Sequence, residues 1–162
     1  MKKEIINIRL LQKKDLKNLV KFRNNPIIWK KTLGQNLGFK NRKITLNDEL
    51  KWFKKVQNLS NRFNLAITLN ENYIGNLYFT NIKKNNSELE VFIGEKKNWG
   101  KGYGFKAIIL GMQFAKFNLK IYKFHLRVRK NNIRAINLYK KSGFKINKLK
   151  SRSDLLIMYN KI

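Results

Sequence analysis

The 162-residue chain contains no cysteine, which excludes disulfide scaffolds, thiolate metal sites and cysteine nucleophiles. Its one histidine, His125, leaves no two-histidine metal site and no choice of base for a serine triad. There is one proline, there are nine glycines, and no Ser/Gly-rich stretch or internal repeat occurs, so residues 1–162 read as a single domain. No run approaches the ~20 apolar residues that span a bilayer. Met1-Lys2-Lys3-Glu4 opens no apolar core of signal-peptide length, so the expectation is a cytoplasmic protein without membrane contact. Acids are scarce too: nine Asp+Glu face 37 Lys+Arg, for a formal charge of +28.

A hydrophobic content of 43% with 12% aromatics makes this a folded domain rather than a disordered basic tail. Two readings of the charge stand. Basic surfaces bind phosphate backbones nonspecifically, so a nucleic-acid partner is one. The other notes that only eight of the basic residues are arginine and that Asn and Ile are abundant as well. AT-rich codons inflate Lys, Asn and Ile together, leaving lysine as a solvated coat. The lysines are scattered and form no tail, which favours the second.

Periodicity orders the chain. Ile6, Ile8 and Leu10 alternate as a strand, and Asp15 opens a helix through Leu16, Leu19 and Val20 that stops near Asn24-Asn25-Pro26. Residues 27–44 have no clear period and suggest a loop or short helix. Thr45-x-x-Asp48 is a capping box ahead of Leu50, Trp52, Phe53 and Val56. Strands follow at 63–69, 73–80 and 89–93, the first two joined by Asn70-Glu71-Asn72. An amphipathic helix carries Phe105, Ile108, Met112 and Ala115; a strand covers 122–128, and a helix from Asn132 to Lys141 is stopped by Gly143. Strands near 144–149 and 154–160 end the series. The fold class is α/β (α+β): a mixed, mostly antiparallel sheet of six to seven strands with helices on both faces.

Asn98-Trp99-Gly100-Lys101-Gly102-Tyr103-Gly104-Phe105 lies between a strand and the amphipathic helix. Three glycines in five residues, with successive N–H groups at a helix N-terminus, suit a diphosphate; they suit a plain turn and helix cap as well. No P-loop spacing is present. Gly102-x-Gly104-x-x-Ala107 meets the loose dinucleotide pattern, but residues 121–130 contain no acid for a ribose, so that reading fails.

Two segments resemble the GNAT superfamily of N-acetyltransferases, in the branch of ribosomal-protein and nucleotide-amino-sugar enzymes. Trp99-x-x-Gly102-x-Gly104 is similar to the family's Arg/Gln-x-x-Gly-x-Gly/Ala loop and departs from it at Trp99. Val128-x-x-x-Asn132-x-x-Ala135-x-x-Leu138-Tyr139-x-x-x-Gly143-Phe144 resembles the family's strand, asparagine, helix and tyrosine followed by Gly-Phe. The resemblance implies acetyl-CoA as co-substrate, no metal, and a cleft between splayed strands at 88–94 and 122–129. Phe92 and Ile93 would line the strand edge, and Trp99, Gly100, Lys101, Gly102, Tyr103, Gly104 and Phe105 the pyrophosphate loop. Asn132 would meet the pantetheine arm; a plain N-cap is the other reading.

The same resemblance makes Tyr139 the acid that protonates the leaving thiolate, since a phenol with an ordinary pKa of about 10 keeps its proton at neutral pH. Glu88 and Glu90 share a strand face. Glu90 is the candidate base and Glu88 an acceptor contact, or both are solvated partners of the lysine excess. His125 shares a face with Lys123 and Arg127, away from the apolar side, which points to a structural or exposed role. Phe22-Arg23-Asn24-Asn25-Pro26 and Leu50-Lys51-Trp52-Phe53 resemble nucleotide-amino-sugar acetyltransferases, making Arg23 and Trp52 candidate acceptor contacts; local packing is the alternative for both. A +28 protein repels polycations and favours an anionic small-molecule or peptide amine. The ranked expectation is a nucleotide-linked amino sugar, then a ribosomal-protein N-terminus, then a non-catalytic RNA- or ribosome-binding module, with a homodimer possible.

Overall fold

The alternating segments become seven strands in the computed structural model, which describes residues 4–29 and 43–162. They are β1 (Ile6–Leu10), β2 (Phe63–Leu69), β3 (Asn72–Lys83), β4 (Asn86–Ile93), β5 (Lys123–Arg129), β6 (Lys145–Ile146) and β7 (Leu155–Lys161). One sheet orders them β1-β2-β3-β4-β5-β7-β6, and every neighbouring pair is antiparallel except β4–β5. The helices are α1 (Leu16–Arg23), α2 (Pro26–Trp29), α3 (Leu46–Gln57), α4 (Tyr103–Leu119) and α5 (Ile133–Lys141).

Local chemistry sets the boundaries. Thr45 Oγ1 accepts the Asp48 N–H while Asp48 Oδ2 accepts the Thr45 N–H, closing the expected capping box at the start of α3. Asn70 and Glu71 both take positive φ, 46° and 68°, as a two-residue hairpin turn between β2 and β3 requires. Gly143 ends α5 at φ 87°, and the Phe144 N–H reaches back to the Tyr139 carbonyl.

Three expectations are corrected. β3 and β4 run longer than their alternation suggested, because a register shift between Thr80 and Lys83, with Asn81 at φ 51°, interrupts the pattern without ending the pairing. β6 is two residues rather than a strand over 144–149: Asn147 folds the chain into a turn, accepting the Lys150 N–H on its side chain and the Ser151 N–H on its carbonyl. Within 27–44 a short helix, α2, ends at Trp29, and residues 30–42 lie outside the described residues.

Alternation along the strands divides the molecule into two cores. Leu65, Ile67, Leu77, Phe79, Leu89, Phe124, Leu126 and Met158 pack with Ile108 and Met112 of α4 and Ile136 and Tyr139 of α5. On the opposite face Ala66 and Tyr73 pack with Leu16, Leu19 and Phe22 of α1 and Phe53 of α3, with Phe92, Trp52 and Trp99 at the margin. Helices therefore cover both faces. No helix among the described residues is long and apolar enough to cross a membrane.

Candidate active site

The one parallel pair is also a short one, three residue pairs between two longer strands. β4 and β5 pair only at Asn86↔Lys123, Ser87↔Phe124 and Glu88↔His125, although β4 continues to Ile93 and β5 to Arg129. Beyond Glu88 the edge of β4 that faces β5 has no strand partner among the described residues, and a cleft opens between them. α4 follows β4 and α5 follows β5, so both helix N-termini stand at the mouth of this cleft.

Glu88 sits where the two strands part. Its carboxylate is 5% exposed and fully engaged: Arg127 Nε donates to Oε1 at 2.6 Å and Asn81 Nδ2 to Oε2 at 3.0 Å. This carboxylate, the expected acceptor contact, ties β3, β4 and β5 together at the vertex. His125 lies beside it, its Nδ1 3.2 Å from Asn86 Oδ1. Burial lowers the His125 pKa against the opposing charge of Glu88, which fits a neutral structural ring.

The loop after β4 has the form an anion cradle needs. Gly100 and Gly102 hold φ 78° and 81°, both are exposed, and a methyl group on either would meet open space. Gly102 caps α4, whose first i→i−4 bond is Lys106 N–H to the Gly102 carbonyl; the Tyr103, Gly104 and Phe105 amides precede it and have no partner inside the helix. Trp99 holds the base of the loop by donating its indole N–H to the Ile93 carbonyl at 2.9 Å. The Arg134 guanidinium stacks 3.6 Å from the centroid of that indole. Trp99 thus carries a cation from α5 beside the position where the family motif would supply one. Lys101 is exposed on the loop, and Phe105 lies under Lys141.

Asn132 caps α5, accepting the Ala135 N–H on Oδ1 at 3.3 Å. Tyr139, two turns on, is 7% exposed and packs edge-on to Phe144. Its phenol is held well above its ordinary pKa, first by burial and then by the nearby charge of Glu90. Glu90 is exposed on the other face of the sheet and accepts from Thr80 Oγ1 at 3.3 Å. The opening between β4 and β5 lets these two groups influence each other from opposite faces.

The face that carries Glu90 also carries Arg23 and Trp52. Arg23 Nε lies 2.8 Å from Oε1 of Glu49, which is 2% exposed, and its guanidinium stacks 4.8 Å from the Trp52 ring. Burial pushes the Glu49 carboxyl up while Arg23 pulls it down. Two residues escaped the sequence reading. Arg62 stacks over the rings of Trp52 and Tyr78 at 5.7 and 4.9 Å, and the Tyr78 hydroxyl is buried without a hydrogen-bond partner. Only strand register could have found them, because Tyr78 opposes Glu90 across β3–β4 and Asn64 across β2–β3.

Residues 6–145 match the family model of the acetyltransferase (GNAT) domain. An uncharacterized protein of Methanocaldococcus jannaschii, MJ1062, is 31% identical over 147 residues, covering 86% of this chain. The chain spans only 28% of the length of that relative. Spermidine N-acetyltransferase from Vibrio cholerae, solved with CoA and spermine, superposes with a TM-score of 0.81 at 18% identity over 96% of this chain and 95% of that one. N-acetyltransferase PseH from Campylobacter jejuni, solved with acetyl coenzyme A, gives 0.74 at 22% identity over 97% and 99%. At such identities these two structures establish a shared fold, whereas the family model spans both the cleft and the glycine loop: the chain belongs to the GNAT acetyltransferase family.

Proposed function

We propose that the chain transfers an acetyl group from acetyl-CoA directly to a primary amine, and that the acceptor is a nucleotide-linked amino sugar. The observation that carries the catalytic reading is the splay of β4 and β5 beyond Glu88, which leaves an opening flanked by Glu90 on one face of the sheet and Tyr139 on the other. The residues fit the co-substrate: an open glycine cradle at 100–105, the stretch of β4 past Glu88 where pairing with β5 stops, and Arg134 next to the loop. Bound there, acetyl-CoA supplies the acyl group on a thioester; the chain's own groups hold it and manage the protons. Glu90 takes the proton from the acceptor amine, through water, as the nitrogen–carbon bond forms. Tyr139 gives its phenolic proton to the sulfur as the carbon–sulfur bond breaks. Burial suits that role by keeping the phenol protonated.

The acceptor reading rests on the arginine–aromatic cluster around Trp52 and on the +28 charge. Both favour an anionic acceptor bearing a planar base over a polyamine, even though several structural neighbours are spermidine N-acetyltransferases. The test is thiol release from acetyl-CoA with three acceptor sets: UDP-linked amino sugars, ribosomal N-terminal peptides and spermidine. Turnover on the first set is expected. Turnover confined to peptides or spermidine overturns the acceptor reading, and acetyl-CoA binding without turnover on any amine overturns the catalytic one.

A further inference from the structure

Arg23 and Arg62 flank the same indole, yet their charges are treated differently. Arg23 is neutralised by the buried Glu49 carboxylate. Arg62 donates Nε to Asn64 Oδ1 at 2.8 Å and lies over two rings, but no carboxylate oxygen is within 4.0 Å of it among the described residues. Burial lowers its pKa, and the charge of Glu90 opposes that. A partly desolvated guanidinium with its terminal nitrogens uncommitted is an anion site awaiting its anion. Arg62 lies over the Tyr78 ring, and the Tyr78 hydroxyl is buried with no hydrogen-bond partner among the described residues.

Register gives the spacing. Asn64, Tyr78 and Glu90 form one row across β2, β3 and β4, pointing to one face. Adjacent strands stand about 4.8 Å apart, so the Asn64 end of the row, where Arg62 is held, lies about 10 Å from the Glu90 end. The Arg62 guanidinium stacks 4.9 Å from the centroid of the Tyr78 ring, the middle member of the row.

We infer that Arg62, with the Tyr78 hydroxyl, is the specificity determinant that binds a phosphate oxyanion of the acceptor while its amine is presented to Glu90. This rests on the acceptor reading above and deepens it. The ligand class is an amine carrying a phosphate ester or diphosphate roughly 6–10 Å away, a range set by the strand spacing of the row. A sugar with its amine across the ring from an anomeric diphosphate has this form. Tyr78 donates one hydrogen bond, and the two terminal nitrogens of Arg62 supply a fork that lysine cannot reproduce.

The experiment pairs two acceptors with the same 4-amino sugar, one as its UDP conjugate and one as its methyl glycoside, and measures UDP affinity by calorimetry. In Arg62→Gln, kcat/KM on the UDP conjugate should fall roughly 10- to 100-fold, mainly through KM, and UDP affinity should weaken by a similar factor. The methyl glycoside should change by less than about 3-fold, because it has no charge for Arg62 to read. Arg62→Lys should recover part of the loss, and Tyr78→Phe should weaken UDP binding roughly 5-fold. Equal losses on both acceptors, or unchanged UDP affinity in folded Arg62→Gln, would assign Arg62 to packing and overturn the inference. A wild type that binds neither UDP nor pyrophosphate overturns it as well. UDP binding that depends on Arg62, without turnover of either sugar, supports the anion site and removes only the amino-sugar acceptor.

Discussion

In the proposed mechanism Tyr139 and Glu90 act on different protons, so their variants separate cleanly. Tyr139→Phe should lower kcat by about 100-fold or more while leaving CoA affinity within about 3-fold, because only the hydroxyl is lost. The phenol is active when neutral and its pKa lies above the ordinary value, so the wild-type rate should not decline through Tyr139 ionisation anywhere below pH 10. A rate profile carried to that pH checks it. Glu90→Gln should lower kcat/KM by roughly 100-fold at neutral pH; an unchanged rate would remove Glu90 from the mechanism. His125 bears on stability instead. Its folded pKa is lowered, so the unfolded chain binds the proton more readily, and stability should hold above about pH 6.5 and decline as pH falls below it. Melting temperatures between pH 5 and 7.5 should show this decline, flattened in His125→Gln. Glu90 and Tyr139 were legible as candidates because each lies in a patterned segment. Arg62 was not, because it precedes its strand and acquires meaning only from rings on α3 and β3.

The elements announced themselves wherever side chains do local work. The Thr45–Asp48 box, the Asn70-Glu71 turn and the Gly143 stop are contacts between near neighbours in sequence, and each forms as read. Gly143→Ala should cost about 1–2 kcal/mol, since an L-residue is strained at φ 87° and its methyl would crowd Asn160 Nδ2 at 3.1 Å. That corresponds to a melting temperature lower by roughly 2–8 °C, measurable by calorimetry. What stayed hidden was long-range. The bulge that prolongs β3 is fixed by pairing with β4, and Trp99 reads as a departure from a phosphate motif until Arg134 is found on its ring. Asp15 is similar: it is buried, and Arg9, on β1, grips both of its oxygens at 2.7 Å while the Gln12 N–H donates to Oδ2 at 2.8 Å. Arg9→Ala strands that carboxylate and should cost about 3 kcal/mol, read as a lower urea midpoint with an unchanged slope.

At the scale of the molecule the +28 charge is diffuse, while the cations proposed to act on ligands are few and stacked on aromatic rings. Composition therefore exaggerated what electrostatics contributes to recognition and concealed where it acts. The three-residue union of β4 and β5 has a mechanical meaning as well. It is a seam between two half-sheets, β1–β4 and β5-β7-β6, bridged within the sheet by three residue pairs and the Glu88–Arg127 pin. A ligand wedged above that seam works as a rivet. Amides of 86–88 and 123–125 should exchange with deuterium earlier than those of β2 and β3 in the free protein and become protected when CoA is added. Saturation at a hundred times Kd should then stabilise the whole domain by about 2.7 kcal/mol.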